Sequence, residues 1–145
     1  SRELRSLDDT IQHYDSVNLG KVEQILDKQG WPSRDLTAGE GQAALFLVIQ
    51  HADLATQEKY LPQIRNAVQE RSVPATYLAT LEDRIAISKG EKQTYGTQIG
   101  TDKNGRSYLE PLTDPDNVDQ RRAEVGLGPL EDYLRSMGIK FPDTK

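Results

Sequence analysis

An apolar run at residues 43–49 is the longest in this 145-residue chain, and it leads directly into the polar residues Gln50, His51 and Asp53. A helix with apolar residues on nearly every face is typically buried on all sides. We therefore predict a central buried helix over about residues 42–55, with the other helices packed around it. Polar side chains at the end of such a helix need buried partners or an opening into a cleft, so this position is the first candidate for a functional site.

The composition limits the classes of function. The formal net charge is -5 and Lys and Arg are scattered along the chain, so a basic surface for nucleic acid is not expected. The chain has no cysteine, which excludes disulfides, thiol nucleophiles and zinc–thiolate sites. No His-x-x-x-His pair, Glu-x-x-His pair or phosphate-binding glycine loop is present, so neither a metal nor a cofactor is expected.

Length and apolar content favour one domain without a membrane span. A chain of 145 residues can bury a core of its own, so we predict a single domain over residues 1–145. The longest apolar run is far shorter than the roughly 20 residues that cross a bilayer. The chain begins at Ser1, which leaves open a removed signal peptide of an exported protein, a removed tag or a trimmed end.

Apolar periodicity predicts the first helix. Leu4, Leu7, Ile11 and Tyr14 recur at helical spacing, which is typical of an amphipathic helix. We predict a peripheral N-terminal helix within residues 1–17.

Capping and stop signals divide the helices that follow. Asn18 is suited to cap a second helix, and the sequence Gly30-Trp31-Pro32 predicts its end, because glycine adopts the left-handed conformation and proline blocks continuation. Thr56 is predicted to cap the helix after the central one, with Pro62 in its first turn. Pro74 is predicted to open a fifth helix.

The pattern changes after residue 90. Asn104-Gly105 is a two-residue turn signal, which predicts a β-hairpin over about residues 93–110. Asp114-Pro115 predicts the start of a short helix, and another follows from about residue 129 to 137. The predicted fold is mainly α (α+β), with six or seven helices around the central helix and one small hairpin.

His51 and Asp83 form the candidate catalytic pair. A histidine that a carboxylate orients is the usual general base near neutral pH, and both residues lie on helices that we expect to pack together. The alternative is a buried histidine that is hydrogen-bonded for structural reasons alone.

Two further patterns offer side chains for binding. Arg84, beside Asp83, is suited either to hold an anionic group or to form a salt bridge between helix and hairpin. Gly96 inside a strand permits close approach by a ligand or by another backbone, and the alternative is a tight contact between strand and helix. On a regular strand, Tyr95 and Gln98 would point to opposite faces.

Arg121 and Arg122 are candidates for a clamp on a carboxylate or phosphate. Adjacent residues on a helix point about 100° apart, so both are not expected to reach one ligand. We expect one to pair structurally, with Asp119 or Glu124, and the other to be exposed.

Several short sequences occur together in a characteristic order. They are Gly30-Trp31-Pro32, Gln50-His51-Ala52-Asp53, Asp83-Arg84-Ile85, Gln93-x-Tyr95-Gly96-Thr97-Gln98 and Val118-Asp119-x-Arg121-Arg122. In this order they resemble an uncharacterised family of bacterial proteins, a domain of unknown function, over about residues 19–134. The resemblance implies no activity, substrate or cofactor. It implies that the polar residues of these sequences are the hallmark of the family: Gln50, His51, Asp83, Arg84, Gln93, Tyr95, Gln98, Arg121 and Arg122.

Two hypotheses of function follow. In the first, these residues line a polar cleft that binds a small ligand or an anionic group, and the protein is either a binding domain or a metal-independent hydrolase or acid–base enzyme. In the second, they form a buried network that fixes the packing of a non-catalytic protein-interaction module. The two hypotheses differ in whether the polar side chains converge on an accessible pocket or satisfy one another.

Overall fold

The structure, a computed structural model, describes residues 18–32 and 39–140. The helix predicted within residues 1–17 lies outside the described residues. The chain divides into two compact units with the boundary between Val73 and Pro74, which we call unit 1 and unit 2. The single domain over residues 1–145 stays a prediction.

Unit 1 contains three described helices: α1 over residues 18–29, α2 over Gly39–Gln50 and α3 over Leu54–Gln69. The predicted end of α1 is confirmed, since Gly30 has a φ of 69° and donates its N–H to Leu26 O at 2.9 Å. The Trp31 indole N–H donates to the side-chain carbonyl of Gln42, whose amide donates to Pro32 O at 2.9 Å. Gln42 therefore ties the end of α1 to α2.

The helix α2 differs from the predicted central helix in length and in burial. It ends at Gln50 rather than near residue 55, and it is buried on one side only. Residues 42, 46 and 49 form the buried side, whereas the side chain of Leu47 is 49% exposed. The apolar run is thus longer than the core requires, and its surplus lies at the surface.

The helix α3 begins earlier than predicted. Asp53, not Thr56, is its N-cap, and the Asp53 carboxylate accepts the Thr56 N–H at 2.8 Å. Pro62 consequently lies inside the helix instead of in its first turn. The Tyr60 hydroxyl of α3 is buried and donates to the Asp27 carboxylate of α1 at 2.8 Å, which joins these two helices.

Unit 2 contains the remaining elements. Pro74 precedes the first of them, as predicted. In order they are α4 (Ala75–Ser88), β1 (Ile99–Thr101), β2 (Ser107–Leu109), a 3-10 helix (Pro115–Asn117), α5 (Val118–Glu124) and α6 (Leu130–Ser136). The described residues therefore form six α-helices, one 3-10 helix and one antiparallel hairpin, which confirms the mainly α class with a small β element.

The hairpin turn has three residues rather than two. Ile99 pairs with Leu109 and Thr101 with Ser107, and the Asp102 N–H donates to Arg106 O at 2.9 Å, so residues 103–105 form the loop. The Asp102 carboxylate accepts the N–H groups of Asn104 and Arg106. This side chain stabilises the longer turn, which the Asn104-Gly105 signal alone does not predict.

A small apolar cluster anchors the hairpin in unit 2. Two short strands alone are marginally stable, so they need such a support. Its buried members are Val118, Leu130 and Leu134, and Ile99, Leu109, Leu112, Tyr133 and Ile139 pack against them. None of the helices in the described part of the chain combines the length and hydropathy that crossing a bilayer requires.

Candidate functional site

The turn between α2 and α3 carries the polar sequence at residues 50–53. Ala52 N–H donates to Ile49 O at 3.1 Å, and Asp53 caps α3. The buried Gln57 side chain donates to Gln50 O at 2.8 Å and so satisfies a carbonyl at the end of α2. Gln50 is half-buried, and in this turn its backbone carbonyl accepts that bond.

His51 is exposed, contrary to the predicted position near the core. Buried residues of α2 follow the spacing 42, 46 and 49, so the opposite side carries residues 44, 47 and 51. His51 thus continues the exposed side of α2 one turn beyond Leu47. Because His51 follows a run of apolar residues, the sequence does not show that it lies on the exposed side of the helix.

A groove of about 590 Å³ opens beside His51 in unit 1. Leu47 and Val48 of α2 contribute apolar surface to it. The lining residues are Asn18, Leu19, Leu47, Val48, His51, Ala52 and Asp53. Within residues 18–32 and 39–140, no hydrogen bond or ion pair engages the His51 imidazole. An accessible imidazole, an amide and a carboxylate therefore border an apolar surface.

Asp83 holds a loop of unit 2 through its carboxylate. Its side chain is 1% exposed, and it accepts the N–H groups of Thr94 at 2.8 Å and Tyr95 at 3.0 Å. It also accepts the N–H of Thr97 at 3.0 Å and the Thr97 hydroxyl at 2.8 Å. Four donors thus reach the carboxylate, and the Tyr95 N–H is shared between its two oxygens, so the acceptor capacity of the group is filled. The predicted pairing of Asp83 with His51, which belongs to unit 1, stays a prediction.

Two arginines bind the carbonyl side of the same loop. Arg121 Nε donates to Thr94 O at 2.9 Å, and Arg122 donates to Tyr95 O at 2.8 Å. The expectation that one arginine is exposed was wrong, because both reach adjacent carbonyls of one curved loop. Their partners also differ from the acidic residues expected, since Arg121 forms its ion pair with Asp114 at 3.6 Å.

Arg122 is a buried cation with polar and aromatic partners. It is 3% exposed, donates to Gly128 O at 2.6 Å, and lies 5.4 Å from the ring centre of Tyr133. Burial lowers the pKa of its guanidinium from the ordinary value, and the nearby carboxylates of Asp119 and Asp83 oppose this effect. The donors of Arg122 are thus directed at the protein itself.

Gln93 closes the base of the loop. Its side chain is fully buried and donates to Gln98 O at 3.0 Å and to Glu110 O at 2.9 Å, while accepting the Gln98 N–H at 2.9 Å. The Gln98 amide in turn donates to Thr97 Oγ1 at 3.0 Å and to Thr80 O at 3.4 Å. Both predicted binding amides therefore hydrogen-bond within unit 2.

These contacts explain why the hairpin is shorter than predicted. The predicted hairpin covered residues 93–110, but its strands begin only at Ile99. Side chains rather than a neighbouring strand accept the N–H groups of Thr94, Tyr95, Thr97 and Gln98, and Gly96 has a φ of 73°. A Cβ at Gly96 would lie 2.9 Å from Leu130 Cδ1, so the close contact is with a side chain of α6 rather than with another backbone.

The side chains of Tyr95 and Arg84, unlike those of the other predicted site residues of unit 2, have no hydrogen bond among those described above. Both side chains are half-buried. Burial, and then the nearby carboxylates of Glu82, Asp83 and Glu124, raise the pKa of the Tyr95 phenol above its ordinary value. In the described part of the chain, no hydrogen bond or ion pair engages the Arg84 guanidinium. Their roles in binding stay predictions.

Sequence reasoning missed three residues that shape these regions. Thr97 donates through both its N–H and its hydroxyl to Asp83, Gln57 binds the end of α2, and Asp119 accepts the Leu130 N–H at 2.8 Å. Thr97 and Asp119 lie inside the motifs quoted above, so the motifs carried a signal for them. Among the described residues, no group of three or more His, Asp or Glu side chains is arranged to hold a metal ion.

Comparison with known proteins gives a family without an activity. No curated protein and no solved structure matches the chain. The model of a family of unknown function, DUF6624, matches residues 5–141, which extends beyond residues 19–134 at both ends. The chain therefore belongs to this family of unknown function.

Proposed function

We propose that this protein is a binding domain whose ligand occupies the groove beside His51. The observation that carries the proposal is the groove itself, in which the half-exposed Leu47 and the imidazole of His51 border the same space of about 590 Å³. Volumes of 300–1,000 Å³ with mostly apolar walls and a few polar groups are usual for small-molecule sites. An apolar side chain left half-exposed at such a place supports a binding role.

The polar side chains of unit 2 also support a non-catalytic function, because most of them already have hydrogen-bond partners. Asp83 already accepts from four donors, and Arg121, Arg122, Gln93 and Gln98 are directed at backbone groups of unit 2. Side chains used in this way fix one packing and have little capacity left for a substrate. We therefore assign the polar residues of unit 2 to loop support and the groove of unit 1 to binding.

Acid–base catalysis by His51 remains the alternative function. It is favoured by the accessibility of the imidazole. It requires a partner to orient the ring, and the lone pairs of Asp83 are already taken by Thr94, Tyr95 and Thr97. The binding function needs no such partner.

Fluorescence titration with the neutral dye Nile red tests the proposal. We expect Leu47→Asp to weaken dye binding by about tenfold or more, because a charge replaces apolar surface in the groove. Ile25→Asp is the matched control, since Ile25 is 42% exposed but does not line the groove. Equal weakening by both variants, or no binding by the parent protein, would overturn the proposal.

A further inference from the structure

The groove beside His51 has an uneven charge. Among the described residues that line it, Asp53 is the one carboxylate, and none of them is a Lys or an Arg. The side-chain hydroxyl and then the backbone N–H of Thr56 lower the pKa of the Asp53 carboxyl from its ordinary value. Asp53 is therefore ionised at neutral pH, and a ligand with a negative group would be repelled by it.

The polar side chains of the lining offer hydrogen-bond acceptors to a ligand. The Asp53 carboxylate uses one oxygen for the Thr56 N–H at 2.8 Å, which leaves further lone pairs. Asn18 offers an amide oxygen and two N–H donors, and the ring nitrogens of His51 are also hydrogen-bonding groups. Of these three side chains at the border of the groove, only the ionised carboxylate of Asp53 accepts hydrogen bonds without donating any.

The remaining lining is apolar. Leu19, Leu47, Val48 and Ala52 provide it, and none of them carries a polar side-chain group. Because the carboxylate of Asp53 only accepts and is negative, a complementary ligand combines an apolar body with a cationic head group that donates hydrogen bonds. A primary ammonium group has three donors, no acceptor and a positive charge.

We infer that the groove selects compounds that carry an apolar body and a primary ammonium group, with the carboxylate of Asp53 as the residue that determines this specificity. The inference rests on the proposed binding function and names the class of its ligand. Asp53 caps the N-terminus of α3, so its carboxylate offsets the positive end of that helix at the border of the groove. The apolar body lies on Leu47 and Val48.

Three compounds with the same ring separate the contributions of charge and apolar surface. They are phenethylammonium, 2-phenylethanol and phenylacetate, each titrated into the full chain at pH 7 and low salt while backbone amide shifts are followed by NMR. We expect the ammonium compound to bind about fivefold more tightly than the alcohol, as an exposed ion pair allows, and phenylacetate to bind most weakly. The shifts of residues 47–53 should change with the ammonium compound, and the preference should decrease in high salt.

Asp53→Asn tests the assigned residue without removing the helix cap. Asparagine caps a helix as well as aspartate does, so the fold is retained while the charge is lost. We expect this variant to bind the ammonium compound and the alcohol equally. Asp116→Asn makes the same charge change on an exposed residue outside the groove and should keep the parent preference.

The outcomes separate the inference from the proposed function. Equal binding of all three compounds with shift changes at residues 47–53 overturns the ammonium selectivity but leaves the groove as a binding site. Tighter binding of phenylacetate overturns it as well and assigns the polar contact to a protonated His51. If no compound changes the shifts of residues 47–53, both the inference and the proposed function fail.

Discussion

The turn at residues 50–53 in unit 1 and the loop at residues 93–98 in unit 2 are both short and polar, yet they use their polar side chains in opposite ways. In the loop, Asp83 and Arg122 are buried and bind backbone groups from two sides. In the turn, His51 is exposed, and within the described residues its imidazole has no polar partner. Polar motifs of similar appearance can therefore serve structure in one region and remain available for a ligand in another.

We expect substitution of Asp83 to cause the largest loss of stability among the variants that compare the loop with the turn. Asp83→Asn places an NH₂ group against N–H donors of the loop and leaves Thr97 short of an acceptor. We expect a loss of about 2–4 kcal/mol of unfolding free energy, measured by urea denaturation. Asp116→Asn, on an exposed residue, should change the stability by less than about 0.5 kcal/mol. Equal losses of unfolding free energy in the two variants would mean that Asp83 stabilises the protein no more than an exposed carboxylate does.

Removal of the buried cation should have the next largest effect. Arg122→Met leaves the carbonyls of Tyr95 and Gly128 without their donor and should cost about 2–3 kcal/mol in the same measurement. The control is Arg135→Met, because the Arg135 side chain is 70% exposed and its ion pairs with described residues are with Glu131 and Asp132 of α6. A cost for Arg122→Met as small as that of the control would mean that the arginine is not needed to hold the loop.

The left-handed conformation of Gly96 should be costly to replace. Gly96→Ala combines a positive φ with a contact to Leu130, so we expect a loss of about 1–2 kcal/mol. At Gly128 no atom lies within 4 Å of a built Cβ and φ is not in the left-handed range, so Gly128→Ala should be close to neutral. Similar losses in both variants would argue against a special role of Gly96.

Asp53 should contribute to stability only as a cap. Asp53→Ala should lower the Tm slightly, whereas Asp53→Asn should leave it unchanged. Because the pKa of Asp53 is lowered in the folded state, its contribution exists above the ordinary pKa of the carboxyl and is lost as the pH falls through the folded value. Thermal melts of the parent and of Asp53→Asn between pH 2 and 7 would check this, and a contribution that grows with acidity would contradict it.

His51 should have the smallest effect on stability. The imidazole is exposed, so His51→Ala should shift the unfolding free energy by less than about 0.5 kcal/mol in urea denaturation. A loss of several kcal/mol would make His51 a structural anchor, and the contrast between the turn and the loop would then disappear.

Much of the fold followed from local signals. Gly30, Pro74 and the alternation of helices with one hairpin were predicted because capping and turn chemistry depend on neighbouring residues. The end of α2 and its buried side were not predicted, because residues 43–49 are all apolar and so do not indicate which side faces the core. Burial depends on distant residues that periodicity alone does not include.

The polar residues were harder to interpret than the helices. The motifs indicated the residues that hold the loop, but not that Asp83 binds N–H groups while Arg121 and Arg122 bind carbonyls. Which side chains bind N–H groups and which bind carbonyls depends on how the loop at residues 93–98 curves between α4 and α5. The sequence pattern does not predict that curvature. The groove beside His51 likewise required the position of Leu19 on α1 relative to α2.

Native-state hydrogen exchange of the loop amides tests the central claim most directly. The claim is that side chains, rather than a β-ladder, hold the N–H groups of Thr94, Tyr95, Thr97 and Gln98. We predict that these four amides exchange as slowly as the core of unit 2 in the parent protein, and that Asp83→Asn selectively accelerates the first three. Exchange of all four at the rate of an open surface loop in the parent protein would contradict the account.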